Sequence, residues 1–207
     1  MTGGSSDHTI KIYQRYAREW DADRNGAGWN DEHWHDRFAR LLQPGATVLD
    51  LGCGSGVPVA RKLVQQEFRV TGVDTSPDMI ALCRERMPNQ EWIVGDMRNV
   101  SLDRKFDGIL AWDSYFFLES EDQRRMFAVF ASHAADGCGL MFNTGPAHGE
   151  ATGSYRGEPL YHASLDPVEY RSLLDRGGFD LLEHVVEDAR AGGRTVWLAR
   201  ARSKQRE

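Results

Sequence analysis

The run Val48 to Gly56, VLDLGCGSG, leaves this chain few folds to choose from. Thr47–Leu51 is a short apolar stretch, the mark of a buried strand. Three glycines follow at Gly52, Gly54 and Gly56, and residues 57–66 then carry a helical pattern. A strand feeding a glycine turn and a helix lets backbone N–H groups approach a ligand where any side chain would collide. In open α/β sheets such a turn lies at the carboxyl edge, where ligands bind. The spacing narrows the ligand further. A dinucleotide fingerprint needs glycines at its first, third and sixth positions. Counted from Gly52, the sixth position here is Val57, and Pro58 occupies the first helical turn. The Lys-Ser/Thr pair of a nucleoside-triphosphate loop is missing as well.

The chain around this run keeps a strand–helix alternation. Strands are expected at 69–74, 91–95, 106–112 and 138–143, with helices at 77–87 and 120–134. Such a rhythm implies an α/β three-layer sandwich: a mostly parallel seven-stranded sheet with helices on both faces. Upstream, residues 10–24 set Ile12, Tyr16 and Trp20 at helical spacing, and 31–42 set Trp34, Phe38, Leu41 and Leu42 on one face. Asn30 or Asp31 is the expected cap of that second helix. Residues 10–43 thus read as an N-terminal helical lid on the 46–143 core. Residues 144–165 are rich in Gly, Pro and His and read as a substrate-side loop, because a loop of that length inside one domain is usually functional. Asp166-Pro167 opens a helix to Arg176, and strands at 179–187 and 194–201 form a C-terminal hairpin that adds an antiparallel edge. The whole of 1–207 is expected to be a single domain.

Acidic residues mark the strand ends. Asp50 sits on the first strand, Asp74 ends the second and Asp96 follows the third. A carboxylate in the place of Asp74 accepts the hydroxyls of a ribose. Asp96 offers an acceptor for an exocyclic amine, or is simply a turn former. Together with the glycines, these acids suit a neutral or cationic nucleoside better than a pyrophosphate.

In this order and spacing, VLDLGCGSG, VTGVDTSPDMI (70–80), WIVGDM (92–97) and FDGILAWDSYFFL (106–118) resemble the motifs of class I S-adenosylmethionine-dependent methyltransferases. The leader YQRYAREWD (13–21) resembles the aromatic N-terminal helix of small-molecule members, and the likeness runs over about residues 13–200. The resemblance implies S-adenosyl-L-methionine as cofactor and S-adenosyl-L-homocysteine as product. It implies that Gly52, Gly54 and the backbone near Cys53 line the methionine part, with Asp50 toward its amino group. Asp74 would bind the ribose, Thr75 would lie against the adenine, Asp96 would meet the adenine amine, and the Met97 amide a ring nitrogen. Ala111 and Trp112 would sit beside the sulfonium. Tyr16 and Trp20 would close over it, or serve as plain core.

Composition bounds the partners. The net charge is −6, and the basic cluster at 200–206 lies in a tail. Nucleic acid demands a basic footprint, so no nucleic-acid partner is expected. No apolar run is long enough for a membrane span and no signal peptide is read at the start. Cys53, Cys83 and Cys138 are odd in number and widely spaced, which points to the reducing cytoplasm. Monomer and homodimer both stay open. His33 and His35, two apart on a helix, face different ways, and no metal motif accompanies them, so no metal is expected.

Methyl transfer needs alignment of a nucleophile and, for some acceptors, removal of a proton. The candidates for that work are Asp113 after the fourth strand, and His148 and His162 in the 146–164 segment. The sequence after the fourth strand is Ala-Trp-Asp-Ser-Tyr, not the Asp/Asn-Pro-Pro-Tyr of enzymes that methylate adenine or glutamine amides. A small-molecule acceptor is therefore expected. The alternatives are a non-catalytic cofactor-binding protein, a nicotinamide-dependent oxidoreductase and an RNA methyltransferase.

Overall fold

The computed structural model describes residues 5–26 and 28–203. Helices α1 (Ser5–Arg15), α2 (Ala17–Gly26) and α3 (Glu32–Ala39) precede the sheet. The core alternates β1 (Thr47–Leu51), α4 (Val59–Gln65), β2 (Arg69–Asp74), α5 (Pro77–Arg86), β3 (Glu91–Val94), β4 (Phe106–Ala111), α6 (Ser120–His133) and β5 (Ala134–Thr144). There follow β6 (Gly149–Tyr155), β7 (Glu158–Ser164), α7 (Pro167–Arg176), β8 (Phe179–Asp188) and β9 (Arg194–Ala201).

Seven strands form one sheet in the order β3-β2-β1-β4-β5-β9-β8. The first five run parallel, and β9 pairs antiparallel with both β5 and β8. Successive β1 residues face opposite layers. Leu49 and Leu51 pack with Phe127, Phe130, Tyr170 and Trp197, whereas Val48 packs with Trp34, Phe38, Leu63 and Ile80. Each such fully buried side chain contributes about 1.5–3 kcal/mol. The direction of winding reverses between β1 and β4, so a crevice opens at the carboxyl ends of those strands.

Local chemistry sets the helix starts. Ser76 Oγ accepts from the Met79 amide at 3.3 Å ahead of Pro77, and Asp166 caps α7 through the Val168 amide at 2.7 Å. Asp31 departs from expectation: it occupies the cap position of α3 without a capping bond, because its carboxylate turns inward to Trp112.

Two further regions depart from the sequence reading. The helix expected at 10–24 is a pair, broken at Tyr16 and starting at Ser5. The pair is tied to the core by Gln14 Nε2 donating to the Thr75 carbonyl at 2.9 Å and by Arg86 on Asp21 at 2.6 Å. The expected 144–165 loop is in fact the β6–β7 hairpin, a separate two-stranded sheet. Its two-residue turn is Arg156-Gly157, at φ 51° and 82°, the left-handed pair of a type I′ turn. Arginine in place of the usual Asn or Asp hides that turn, and Pro159 reads as a strand breaker. Pro159 is tolerated because β7 belongs to a two-stranded sheet whose other side meets α1, where the Tyr161 amide donates to Thr9 Oγ1 at 3.2 Å. Among the described residues no helix is long and apolar enough to cross a membrane. The basic tail lies outside the described residues from position 204 onward.

Candidate active site

The glycine turn is built by packing. Gly52, at φ 78°, would place a Cβ 2.3 Å from Ser114 Cβ, and Ser114 Oγ is itself fixed by donating to the Leu51 carbonyl at 2.7 Å. A Cβ on Gly56 would stand 2.6 Å from Met87 Cε. These two glycines admit neighbours. Gly54 has open space around it, and its amide donates to Asp74 Oδ2 at 2.9 Å.

Two cavities meet at this turn, and a third adjoins them. The first, about 730 Å³, runs past Asp74, Thr75, Met79, Asp96 and Met97 to Ile10 and Phe117. The second, about 500 Å³, is lined by Asp50, Cys53, Ser55, Arg24 and Trp112, and shares Gly52 and Gly54 with the first. The third, about 1580 Å³, opens between the β6–β7 hairpin and the β4 end, past Phe116, Asn143, His148, Tyr155, His162 and Arg194. Trp20 and Asp113 border all three.

The carboxylates differ sharply. Asp50 is buried, and desolvation, then the neighbouring charge of Asp74, push its carboxyl up to about 7. Burial also raises Asp74, against the bonds it accepts from the Ser76 and Gly54 amides. Asp96 is gripped by the Arg98 side chain, which also reaches Asp7 and Asp122. Asp113 has a left-handed backbone at φ 49°. It accepts from Arg194 Nε at 2.8 Å, Arg194 Nη2 at 2.7 Å and Asn143 Nδ2 at 2.8 Å. Burial would raise this carboxyl, but Arg194 and Arg24 outweigh that and hold it below the usual range. Asp113 is therefore a fixed negative charge rather than a proton acceptor near neutrality.

The histidines of the third cavity also differ. His148 is exposed. His162 stacks on Phe117, centroids 5.1 Å apart at 29°, and burial lowers its pKa, so it is neutral at pH 7. Its ring lies over Gly153, where a Cβ would come within 2.8 Å of it. Burial first, then Cys83, raises the Cys53 thiol well above the ordinary range.

The structure thus gathers Trp20, Gly52, Gly54, Asp74, Thr75, Asp96, Met97 and Asp113 on the first cavity, Asp50, Cys53 and Trp112 on the second, and His148 and His162 on the third. Tyr16 lines none of these and packs edge-on against Tyr155 at 6.1 Å. Ala111 is fully buried within β4 and lines none of them either. As site residues, sequence reading missed Tyr13, Arg24, Asp31 and Arg194. Tyr13 had a signal: it opens the Tyr-x-x-x-Ala-x-x-Trp-Asp leader, and it borders the first and third cavities. An acid-lined cavity continuing past an amide-lined turn to a second acidic cavity fits a nucleoside with a cationic tail.

The comparisons agree with this geometry. A methyltransferase domain family model matches residues 48–137. The chain is 32% identical over 133 residues to a demethylmenaquinone methyltransferase of Thermotoga maritima, covering 61% of this chain and 56% of that protein. It is 31% identical over 169 residues to a cypemycin N-terminal methyltransferase of a Streptomyces species, covering 72% and 69%. The chain spans about half the length of several curated relatives that it matches. The solved 1,6-didemethyltoxoflavin-N1-methyltransferase of Burkholderia thailandensis shares the fold at TM-score 0.74 and 15% identity, over 95% of this chain and 88% of that one. The chain belongs to the class I S-adenosylmethionine-dependent methyltransferases.

Proposed function

We propose that this protein transfers a methyl group from S-adenosylmethionine to a small organic acceptor bound in the third cavity. The observation that carries this reading is the convergence of all three cavities on Trp20 and Asp113. A donor lying along the first two and an acceptor in the third meet there. When bound, S-adenosylmethionine supplies an activated methyl group on a sulfonium.

The chain's own residues then have separate tasks. Asp74 receives the ribose hydroxyls on lone pairs that the Gly54 and Ser76 amides leave free. Thr75 and Met97 flank the adenine, and Asp96 accepts its amine. The Gly52–Gly54 turn and Asp50 hold the methionine end, and Asp113 sets a negative charge beside the reacting centre. Trp20 and Tyr13 cover the junction and exclude water. His162, neutral and facing the acceptor, takes a proton where the acceptor has one to lose; exposed His148 is the weaker candidate.

Relatives named for demethylmenaquinone and for 1,6-didemethyltoxoflavin support a small acceptor. The net charge of −6 weighs against nucleic acid. Three free cysteines suit the cytoplasm. Calorimetric titration with S-adenosylmethionine, S-adenosylhomocysteine and NAD tests the donor site: the first two are expected to bind and NAD is not. NAD binding in their place would overturn the reading. A metabolite panel scanned by mass spectrometry for added methyl groups then tests catalysis, and tight cofactor binding without any product would favour a binding protein.

A further inference from the structure

Arg24 stands near the end of α2 and borders both the second and the third cavity. In the second cavity it is the one cation among the lining residues, facing the two carboxylates Asp50 and Asp113. A guanidinium carries five N–H donors. Among the described residues, none of those on Arg24 is spent in a hydrogen bond. Its Nη2 stands 3.3 Å from Asp113 and 3.8 Å from Asp31, longer than a charge-assisted hydrogen bond. Its neighbour Arg194 is the opposite case. Arg194 is committed to Asp113 through Nε and Nη2 and to the Ala191 carbonyl through Nη1 at 2.7 Å. Asp113 therefore keeps its cation when Arg24 turns elsewhere, and the Arg24 side chain is only 24% exposed, so its unused donors face the cavities more than bulk water.

The amino-acid tail of the cofactor carries an ammonium, a carboxylate and the sulfonium at its head. The second cavity offers the complementary set: two carboxylates and one guanidinium. We propose that Arg24 binds the carboxylate of that tail, as a fork onto two oxygens, while Asp50 and Asp113 answer the cationic groups. This assignment rests on the cofactor reading above and names a residue that no glycine-turn or strand-end motif contains.

The test uses two ligands and no acceptor, so an acceptor carboxylate cannot account for the result. S-adenosylhomocysteine has the amino-acid tail; 5′-methylthioadenosine is the same adenosine thioether without it. Arg24→Ala is expected to weaken S-adenosylhomocysteine by about tenfold to a hundredfold in calorimetry. It is expected to leave 5′-methylthioadenosine within about twofold, which also reports an intact cavity. Arg24→Lys keeps the charge without the fork and is expected to fall between, and it replaces the alanine variant if that one fails to fold. Unchanged S-adenosylhomocysteine affinity overturns the proposal. Equal weakening of both ligands overturns it too, because Arg24 would then only shape the cavity. If the unaltered protein binds neither ligand, the cofactor reading itself fails and the proposal falls with it.

Discussion

Asp50→Asn should make the protein more stable and a poorer cofactor binder, with both effects set by pH. The Asp50 carboxyl is buried, and desolvation and Asp74 raise it to about 7 from an ordinary 3.8. A folded-state value above the unfolded one means that the native state holds a proton the unfolded chain has released. The group costs nothing below the unfolded value. Stability then falls as pH rises toward the folded value, by about 1.4 kcal/mol per unit. Over that interval the loss is on the order of 4 kcal/mol, complete above pH 7. Asparagine has no charge to bury. The variant should match the parent at pH 4 and exceed it at pH 8, by roughly 8–16 °C in Tm for a chain of this size. Cofactor binding runs the other way. A cationic tail needs the ionised carboxylate, so below pH 7 the parent should lose up to about tenfold in affinity per unit, and the variant should show a flat profile. Thermal melts in matched buffers from pH 4 to 8, with S-adenosylhomocysteine titrations from pH 6 to 8, read both. A Tm gap independent of pH, or a variant less stable at pH 8, refutes the reasoning.

Three other outcomes follow from the same geometry. Gly52→Ala meets Ser114 at 2.3 Å in a left-handed backbone and should cost roughly 2–5 kcal/mol, whereas Gly54→Ala, in open space, should cost about 1; equal melting shifts for the two would contradict the packing account. Asp74→Asn should weaken S-adenosylhomocysteine by about tenfold to a hundredfold while the fold persists by circular dichroism, and unimpaired binding would remove Asp74 from the ribose site. Once an acceptor is found that must lose a proton, log kcat/KM should rise with slope one and level off below the ordinary imidazole value of about 6.5, since burial lowers His162. That limb should vanish in His162→Phe; if it survives, His162 is not the base.

The parallel core was legible because its signals are local. Val48–Gly56 announces strand, turn and helix within nine residues, and Pro77 and Pro167 announce helix starts. The β6–β7 hairpin was illegible because an Arg-Gly turn does not advertise a left-handed pair as Asn-Gly does. Tyr16 was favoured over Tyr13 because it shares helical spacing with Ile12 and Trp20. The break between α1 and α2 then turns Tyr16 toward Tyr155 and leaves Tyr13 at the cavity. The cluster of Asp31, Arg194, Asp113 and Arg24 has no sequence signature at all. Its members meet only when β4, β9, α2 and the start of α3 are folded together.

Beyond the floor that Asp113, Phe116, Phe117 and Asn143 supply, the walls of the proposed acceptor cleft come from outside the cofactor core, and those parts hold each other. Arg15 pairs with Glu158 at 2.6 Å, Tyr155 donates to Asp23 at 2.7 Å, and the Tyr161 amide reaches Thr9. A chimaera that exchanges the hairpin alone would inherit a tip with the wrong partners on α1 and α2, and so would one that exchanges only the helices. Acceptor choice in this architecture should therefore be transplanted as a pair of distant segments, with the intervening 46–143 stretch left untouched, and should diverge between relatives as a pair as well.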